Sequence, residues 1–353
     1  METVFNLKSG EIEQKLLECV KNGMTEFCLF DSACSCSRSK ILAFLKYVEE
    51  NAPQLFVSVV VNPEILDMEI CRQCMKLNCS LEIPFRVQKN GLFDKKFFAR
   101  RAAMLNNSGL VFGVQLFYAD SRADSLKAFK ERLDFAIEQF PNHIAFPQTE
   151  DSETAETAQV MQTFSAEEIR TARNIAFACR TFYSAGRAVP WFKSVLSALR
   201  ISSAAFFSDF AEWQRCNNCD YKSGFVPENA SHHDIEKMQL VFLQQKFEEK
   251  KKSGMFTACS DIVCMNGALS LRHEHLAAAL FNQGFFSLEL HHGFQHPDSL
   301  PYRFPIRITA EAERHAECGF QYAFAADSAH HAGGSRRLVL QARRRSLLAF
   351  LRR

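Results

Sequence analysis

Cysteine is the residue type whose spacing in this sequence most directly suggests chemistry. Cys216 and Cys219 form a CxxC pair inside RCNNCDYKSG, a polar and turn-prone segment. Such a pair can supply half of a zinc site. A second pair is then required, and Cys259 with Cys264, or any of the adjacent histidine pairs, lacks the short spacing of a zinc ribbon. Two interpretations stay open: Cys216 and Cys219 bind a metal ion, or they are ordinary thiols.

Cys71 and Cys74 form another CxxC pair, within a predicted helix. Their three-residue spacing places both on one face of that helix, where cysteine packs as a small hydrophobic residue. We therefore predict that they belong to the core. The thirteen cysteines are odd in number and irregularly spaced, which favours reduced thiols over a disulfide framework.

Asp31 is the clearest acidic candidate, because it directly follows the apolar run EFCLF, a predicted strand. At the carboxyl end of a barrel strand an aspartate faces the ligand, but aspartates there also cap turns and helices. Both interpretations stay open. The sequence contains no phosphate loop, GxSxG or HExxH motif.

The elements that must position these residues are clearest between Leu110 and Pro147. Two apolar runs, LVFGVQLFYA and HIAF, flank DSLKAFKERLDFAIEQFP, whose periodicity predicts one amphipathic helix. Asp124 or Ser125 is expected to cap this helix and Pro141 to end it. The solvent-facing side is predicted to carry Lys127, Lys130, Glu131, Arg132 and Glu138.

The same strand–helix–strand unit repeats through the first half of the chain. Predicted strands begin near residues 26, 55, 80, 110 and 143, with one helix between successive strands. This spacing is typical of right-handed β/α crossovers. It predicts either an α/β barrel or a doubly wound sheet.

The pattern changes after Gln148, where the polar stretch QTEDSETAETAQ contains no strand-forming run. We predict a domain of residues 1–150, a helical domain of residues 151–306 and a tail of residues 307–353. In the helical domain, Ser165 and Glu168 form a capping box, and Gly254 is expected to end the helix DIEKMQLVFLQQKFEEKKK. The tail has 9 Arg and 10 Ala but no Lys, and we interpret it as sequence read from another frame or a fused remnant.

Composition excludes several classes of protein. The chain is 47% hydrophobic and 23% charged, with a formal net charge of +2, so there is no overall drive towards nucleic acid or an anionic membrane. No apolar run approaches the roughly 18 residues of a membrane span. The first residues, METVFNLKSGEIEQ, carry acids and no signal-type apolar stretch. We expect a cytoplasmic protein without a membrane or nucleic-acid partner.

Taken in order, the segments FCLFDSACS, VSVVVNPEIL, SLEIPFRV, GLVFGVQLFYA and SAEEIRTARNIAFACRTFY resemble radical S-adenosylmethionine enzymes that carry a cobalamin-binding domain. The resemblance extends over roughly residues 5–306. It implies an α/β fold: an incomplete (β/α) TIM-like barrel of six units followed by a mostly α-helical domain. Such enzymes use S-adenosylmethionine, a four-iron four-sulfur cluster and cobalamin.

The sequence differs from that family at the segments that bind its cofactors. Its CxxxCxxC cluster loop occurs nowhere in the chain, and neither does its cobalamin domain. The family's strand ending Gly-Leu-Gln-Ser instead ends with Pro84, Phe85, Arg86 and Val87. The resemblance retains Asp31 and Glu82, at places where groups in the superfamily help to hold S-adenosylmethionine.

These departures predict a truncated or degenerate radical S-adenosylmethionine-like protein that is not catalytic alone. We expect no cofactor on this chain by itself, and any residual S-adenosylmethionine binding should depend on Asp31 and Glu82. Two alternatives stay open. The chain is one half of a split enzyme, whose partner chain supplies the cobalamin domain and the cluster, or it is a non-catalytic interaction module that docks through an exposed sheet edge.

Overall fold

The computed structural model describes residues 4–6, 12–30, 36–87, 92–119, 124–147 and 164–271, together with five short strands between residues 288 and 340. Contacts divide the chain into two compact units, Met1–Ala176 and Phe177–Arg353, called here the N-terminal and C-terminal units. The domain boundary predicted near residue 150 lies outside the described residues and stays a prediction.

The N-terminal unit is built on a six-stranded parallel sheet whose strands lie in chain order. The strands are β1 (Val4–Asn6), β2 (Glu26–Phe30), β3 (Phe56–Val60), β4 (Cys79–Phe85), β5 (Val111–Leu116) and β6 (His143–Ala145). The five predicted strands and the α/β class are confirmed. Strand β1 was not predicted, because three residues are too few to show a period. The barrel stays a prediction.

One helix connects each strand to the next. These helices are α1 (Ile12–Lys21), α2 (Arg38–Asn51), α3 (Met68–Cys74), α4 (Lys95–Ser108) and α5 (Leu126–Glu138). Because parallel crossovers are right-handed and every step along the sheet runs in the same direction, the helices lie on one face of it. The sheet therefore has a helix-covered face and an opposite face.

The helix-covered face forms the core of this unit. Every second strand residue there is apolar and buried: Phe27, Leu29, Val57, Val59, Leu81, Ile83, Phe112, Val114 and Ile144. The helices add aromatic rings, with Phe44 stacked 6.1 Å from Phe27 and Phe98 lying 4.5 Å from Phe85, centroid to centroid. Burying each such side chain stabilises the fold by about 1.5–3 kcal/mol.

Arg132 contradicts the prediction that it faces solvent from α5. Its guanidinium is buried and donates two hydrogen bonds to the Asp124 carboxylate, at 2.8 and 2.9 Å, and one to the Phe117 carbonyl at 2.8 Å. Ser125 is the N-cap, since its side chain accepts from the Ala128 N–H. Asp124 is thus the partner of Arg132, and the pair links the end of β5 to the start of α5.

The described part of the C-terminal unit is mainly helical. Its helices are α6 (Ala166–Cys179), which begins in the N-terminal unit, α7 (Phe192–Leu199), α8 (Ser203–Cys216), α9 (His232–Glu249) and α10 (Ser253–Leu271). The capping box is confirmed: the Glu168 N–H donates to Ser165 Oγ at 3.2 Å, and Glu168 Oε2 accepts from the Ser165 N–H at 2.8 Å.

The prediction that Gly254 ends the helix before it is wrong. Helix α9 ends at Glu249, Lys251 takes a left-handed conformation with φ of 55°, and the Lys252 N–H donates to the Phe247 carbonyl at 2.8 Å. This turn closes α9 without glycine, and Gly254 lies inside α10.

A π-helical turn, Arg180–Ala185, lies at the centre of the C-terminal core. The Phe182 ring contacts the rings of Trp191, Phe192, Phe206, Phe210 and Phe242. Gln239 donates to the carbonyls of Phe182 and Gly186, at 2.8 and 2.9 Å. In a regular helix these carbonyls would accept backbone hydrogen bonds, whereas here they accept hydrogen bonds from the Gln239 side chain.

Beyond α10 the described residues form short strands: β7 (Leu288–His291), β8 (Phe294–Gln295), β9 (Pro301–Tyr302), β10 (Phe324–Ala326) and β11 (Ser335–Leu340). Strand β11 pairs antiparallel with β7 and β10, and β8 pairs with β9. Two of these strands, β10 and β11, belong to the predicted tail. Among all described helices, none has the length and apolarity needed to cross a membrane.

Candidate functional site

The face of the N-terminal sheet opposite the helices carries most of its polar residues, and we call it the polar face. Successive strand residues point to opposite faces, and the register aligns the polar ones across neighbouring strands. They are Glu26 and Cys28 in β2, Ser58 in β3, Ser80 and Glu82 in β4, Gln115 in β5 and His143 in β6. These side chains are the candidate ligand contacts, because a small number of placed polar groups orients the ligand in a binding site.

Glu82, Gly113 and His143 form one row across three adjacent strands. Glu82 is the register partner of Gly113, and Gly113 is the partner of His143. Across the glycine, His143 Nε2 lies 2.5 Å from Glu82 Oε1. The glutamate side chain is 8% exposed and the histidine side chain 38% exposed. The row thus joins a buried carboxylate to a partly accessible imidazole.

Gly113 is required for this contact. A Cβ atom at position 113 would lie 2.3 Å from His143 Nε2 and 2.5 Å from Glu82 Oε1. Both distances are far below van der Waals contact, so any side chain there would separate the two groups. Glycine within a strand often marks such a close approach.

The Glu82 carboxylate has an unusual environment for a buried charged group. It faces His143 at ion-pair distance, yet within the described part of the chain neither of its oxygens receives a well-directed hydrogen bond. Ser80 Oγ, two residues earlier on the same face, is also buried without a hydrogen-bond partner there. A buried group left unsatisfied in this way costs about 1–3 kcal/mol. A ligand that carries hydrogen-bond donors would remove that cost.

The structure places one of the two acidic residues retained in the resemblance. Glu82 lies in the middle of β4 on the polar face, whereas Asp31, directly after β2, lies outside the described residues. Sequence reasoning missed Gly113 and His143. The available signal was the isolated glycine within the apolar run LVFGVQL, which predicts a close approach but does not identify the groups that meet there.

The described cysteines do not fit an iron–sulfur cluster, which requires several thiolates around one centre. Cys71 and Cys74 are fully buried, which confirms that they belong to the core. Burial raises the pKa of the Cys71 thiol, and a hydrogen bond with Cys79 together with burial raises the pKa of Cys74. In the described ranges no three histidine, cysteine or acidic side chains group as a metal site would require.

Cys216 and Cys219 lie at the end of α8 in different environments. Cys216 is exposed, with its Sγ 3.7 Å from Glu212 Oε1. Cys219 is buried and its thiol contacts the Gln214 carbonyl at 3.6 Å. Burial, with a smaller contribution from Asp220, raises the pKa of Cys219 to about 11. Metal binding by this pair stays a prediction, and it would require deprotonating a thiol that its surroundings keep protonated.

No protein-family model matches the chain, and its sequence matches no curated protein. The solved structures include the radical S-adenosylmethionine methyltransferase TsrM from Kitasatospora setae with cobalamin and a [4Fe-4S] cluster bound. It has a TM-score of 0.31 and 13% identity, covering 38% of this chain and 29% of TsrM. TsrM with tryptophan substrate and an S-adenosylmethionine analogue gives a TM-score of 0.31 and 11% identity, covering 38% and 28%. The similarity is weak, and the chain spans less than a third of TsrM.

Proposed function

We propose that this chain is a radical S-adenosylmethionine-like α/β protein that binds a cationic small molecule on the polar face of its sheet. The observation that carries the proposal is Glu82: a buried carboxylate whose oxygens lack well-directed hydrogen bonds among the described residues. Buried carboxylates are ordinarily paired and hydrogen-bonded. His143 lies at ion-pair distance, and a cation with N–H donors would supply the hydrogen bonds.

S-adenosylmethionine is the ligand that the family resemblance suggests. It carries an ammonium group, which can donate hydrogen bonds to a carboxylate, and a permanently positive sulfonium. Glu82 is the proposed acceptor, and Asp31 is a second proposed contact because it directly follows β2. We expected this chain to bind no cofactor alone because it lacks the cluster cysteines. The buried Glu82 carboxylate, without well-directed hydrogen bonds among the described residues, supports a separate site that needs no cluster.

The proposal does not include radical formation by this chain alone. The sequence lacks CxxxCxxC, and the described thiols of α3 have raised pKa values, which disfavour the thiolates that a cluster needs. We propose that a catalytic assembly would need a separate chain to supply the cluster and the cobalamin domain. Co-purification of a stoichiometric partner of that kind supports this split-enzyme arrangement.

The binding proposal is tested by titrating the full chain with S-adenosylmethionine in a calorimeter at about pH 8. Wild-type protein is expected to bind, and Glu82→Gln to weaken binding at least about tenfold, because a charge-assisted hydrogen bond contributes about 1.5–3 kcal/mol. Glu26→Gln is the matched control, since Glu26 lies on the same face but is exposed.

Two results would reject the site: no heat with the wild type, or equal affinity in the wild type and Glu82→Gln. The absence of radical chemistry is tested separately. After anaerobic treatment with iron and sulfide, the chain is expected to show neither the absorbance of a stoichiometric four-iron cluster nor reductive cleavage of S-adenosylmethionine.

A further inference from the structure

The contact between His143 and Glu82 has a consequence for any cationic ligand. His143 Nε2 lies 2.5 Å from Glu82 Oε1, and no side chain can enter between them at Gly113. Histidine changes charge near neutral pH. The charge that the Glu82 carboxylate offers to a ligand therefore depends on whether His143 carries a proton.

Building on the ligand site proposed above, we infer that cation binding on the polar face is linked to deprotonation of His143. With a neutral imidazole, the row of Glu82, Gly113 and His143 carries one net negative charge. With an imidazolium, the row is electrically neutral, and the positive charge of His143 lies against Glu82 Oε1. The protonated histidine and the ligand cation thus compete for the same carboxylate.

The described part of the chain places few other charged groups on the polar face. Among the described residues on the polar face, the titratable side chains besides Glu82 and His143 are Glu26 and Cys28, both in β2. Strands β3 to β5 separate β2 from β6. The residue of β5 beside His143 is Gly113, and Gln115 on the same strand face is uncharged. Arg86 follows β4, with its guanidinium 4.1 Å from the Phe117 ring centroid. Helix α5 carries charges but lies on the opposite face.

The size of the effect follows from the ordinary chemistry of imidazole. An isolated histidine, whose pKa is about 6.5, is about nine-tenths protonated at pH 5.5 and almost fully neutral at pH 8, and a carboxylate at ion-pair distance favours the protonated form. If the protonated form excludes the cation, the apparent affinity falls at least about tenfold between these two conditions. Binding at intermediate pH then releases a fraction of a proton from His143.

The experiment repeats the S-adenosylmethionine titration at about pH 8 and about pH 5.5 with wild type, His143→Asn and the control His233→Asn, whose histidine lies in α9. Wild type and His233→Asn are expected to lose at least about tenfold in affinity at the lower pH. His143→Asn should bind with the same affinity at both. Titration of the wild type in two buffers of different ionisation enthalpy should show proton release near pH 6.5.

The outcomes separate this inference from the binding proposal. The proton link is overturned if wild-type binding does not change with pH, or if the pH dependence persists in His143→Asn. Either result is still compatible with the proposed binding site. No binding at either pH overturns both. If His143→Asn fails to fold, the buffer comparison on wild type decides the link, because release of no protons near pH 6.5 contradicts it.

Discussion

Two buried charged side chains of the N-terminal unit have opposite surroundings. Arg132 makes three hydrogen bonds through its two terminal nitrogens. Glu82 has a close histidine but no well-directed hydrogen bond within the described chain. Buried charged groups with incomplete hydrogen bonding often occur at sites where stability is sacrificed for function. The environment of Glu82 therefore supports a functional role more strongly than its burial alone.

This contrast gives a prediction at residue scale. Glu82→Gln keeps the side-chain shape and removes the buried charge, so at about pH 8 the free energy of unfolding should stay unchanged or rise by up to about 1 kcal/mol. Urea denaturation of the ligand-free protein measures it. A loss of more than about 2 kcal/mol would mean that the carboxylate is structurally satisfied and would weaken the case for a ligand.

Of the two residues that form the contact, only Glu82 could be predicted from the sequence. Glu82 was identified through the family resemblance of SLEIPFRV, which needs no structural information. His143 lies 61 positions further along the chain, and its contact with Glu82 depends on the register of β4, β5 and β6. A two-residue shift of β6 would keep the same face buried but would no longer place His143 beside Gly113. The hydrophobic pattern does not distinguish between these two registers.

At the scale of elements, prediction succeeded where one pattern dominated. The strands β2 to β6 and the helices between them were predicted because buried parallel strands are uniformly apolar and their helices amphipathic. Arg132 was misplaced because the helical pattern assigns charged residues to solvent, and its partner Asp124 precedes the helix. The π-helical turn has no sequence signature of its own, and it was therefore not predicted.

The connection between β5 and α5 provides a prediction at this scale. Arg132→Met should destabilise the protein by about 3–5 kcal/mol, because Asp124 stays buried and loses its partner. Adding Asp124→Leu should restore much of the loss. Thermal and urea unfolding of both variants measure it. Arg38→Met is the matched control: Arg38 forms ion pairs with Asp67 and Glu69 at the surface, and its loss should change stability little. Equal effects of the two arginine substitutions would contradict the structural role of Arg132.

At the scale of the whole molecule, the predicted tail of residues 307–353 can be tested by deletion. The aromatic core of the C-terminal unit consists of rings between Phe182 and Phe242, whereas the described tail strands pair with each other and with β7. Deleting residues 307–353 should therefore change the midpoint of thermal unfolding little.

Leu243→Ala is the reference variant for the effect of the deletion on thermal unfolding. Leu243 is fully buried, so its truncation should cost about 2–5 kcal/mol. A drop on deletion as large as that of Leu243→Ala would show that the tail is an integral part of the unit. The origin of the tail in another reading frame stays a hypothesis, which the surrounding nucleotide sequence tests directly.

The strand order of the sheet has a further consequence, for folding. Because β1 to β6 are neighbours in chain order, each strand can pair as soon as its own unit has been synthesised, and the loops that must close remain short. The Glu82–His143 contact needs the last strand, and β6 has only three residues at the margin of the described sheet. Short marginal strands open at a small fraction of the global unfolding energy. We therefore expect the Glu82–His143 contact to form only after β6 has paired with β5, and to be lost whenever this short strand opens.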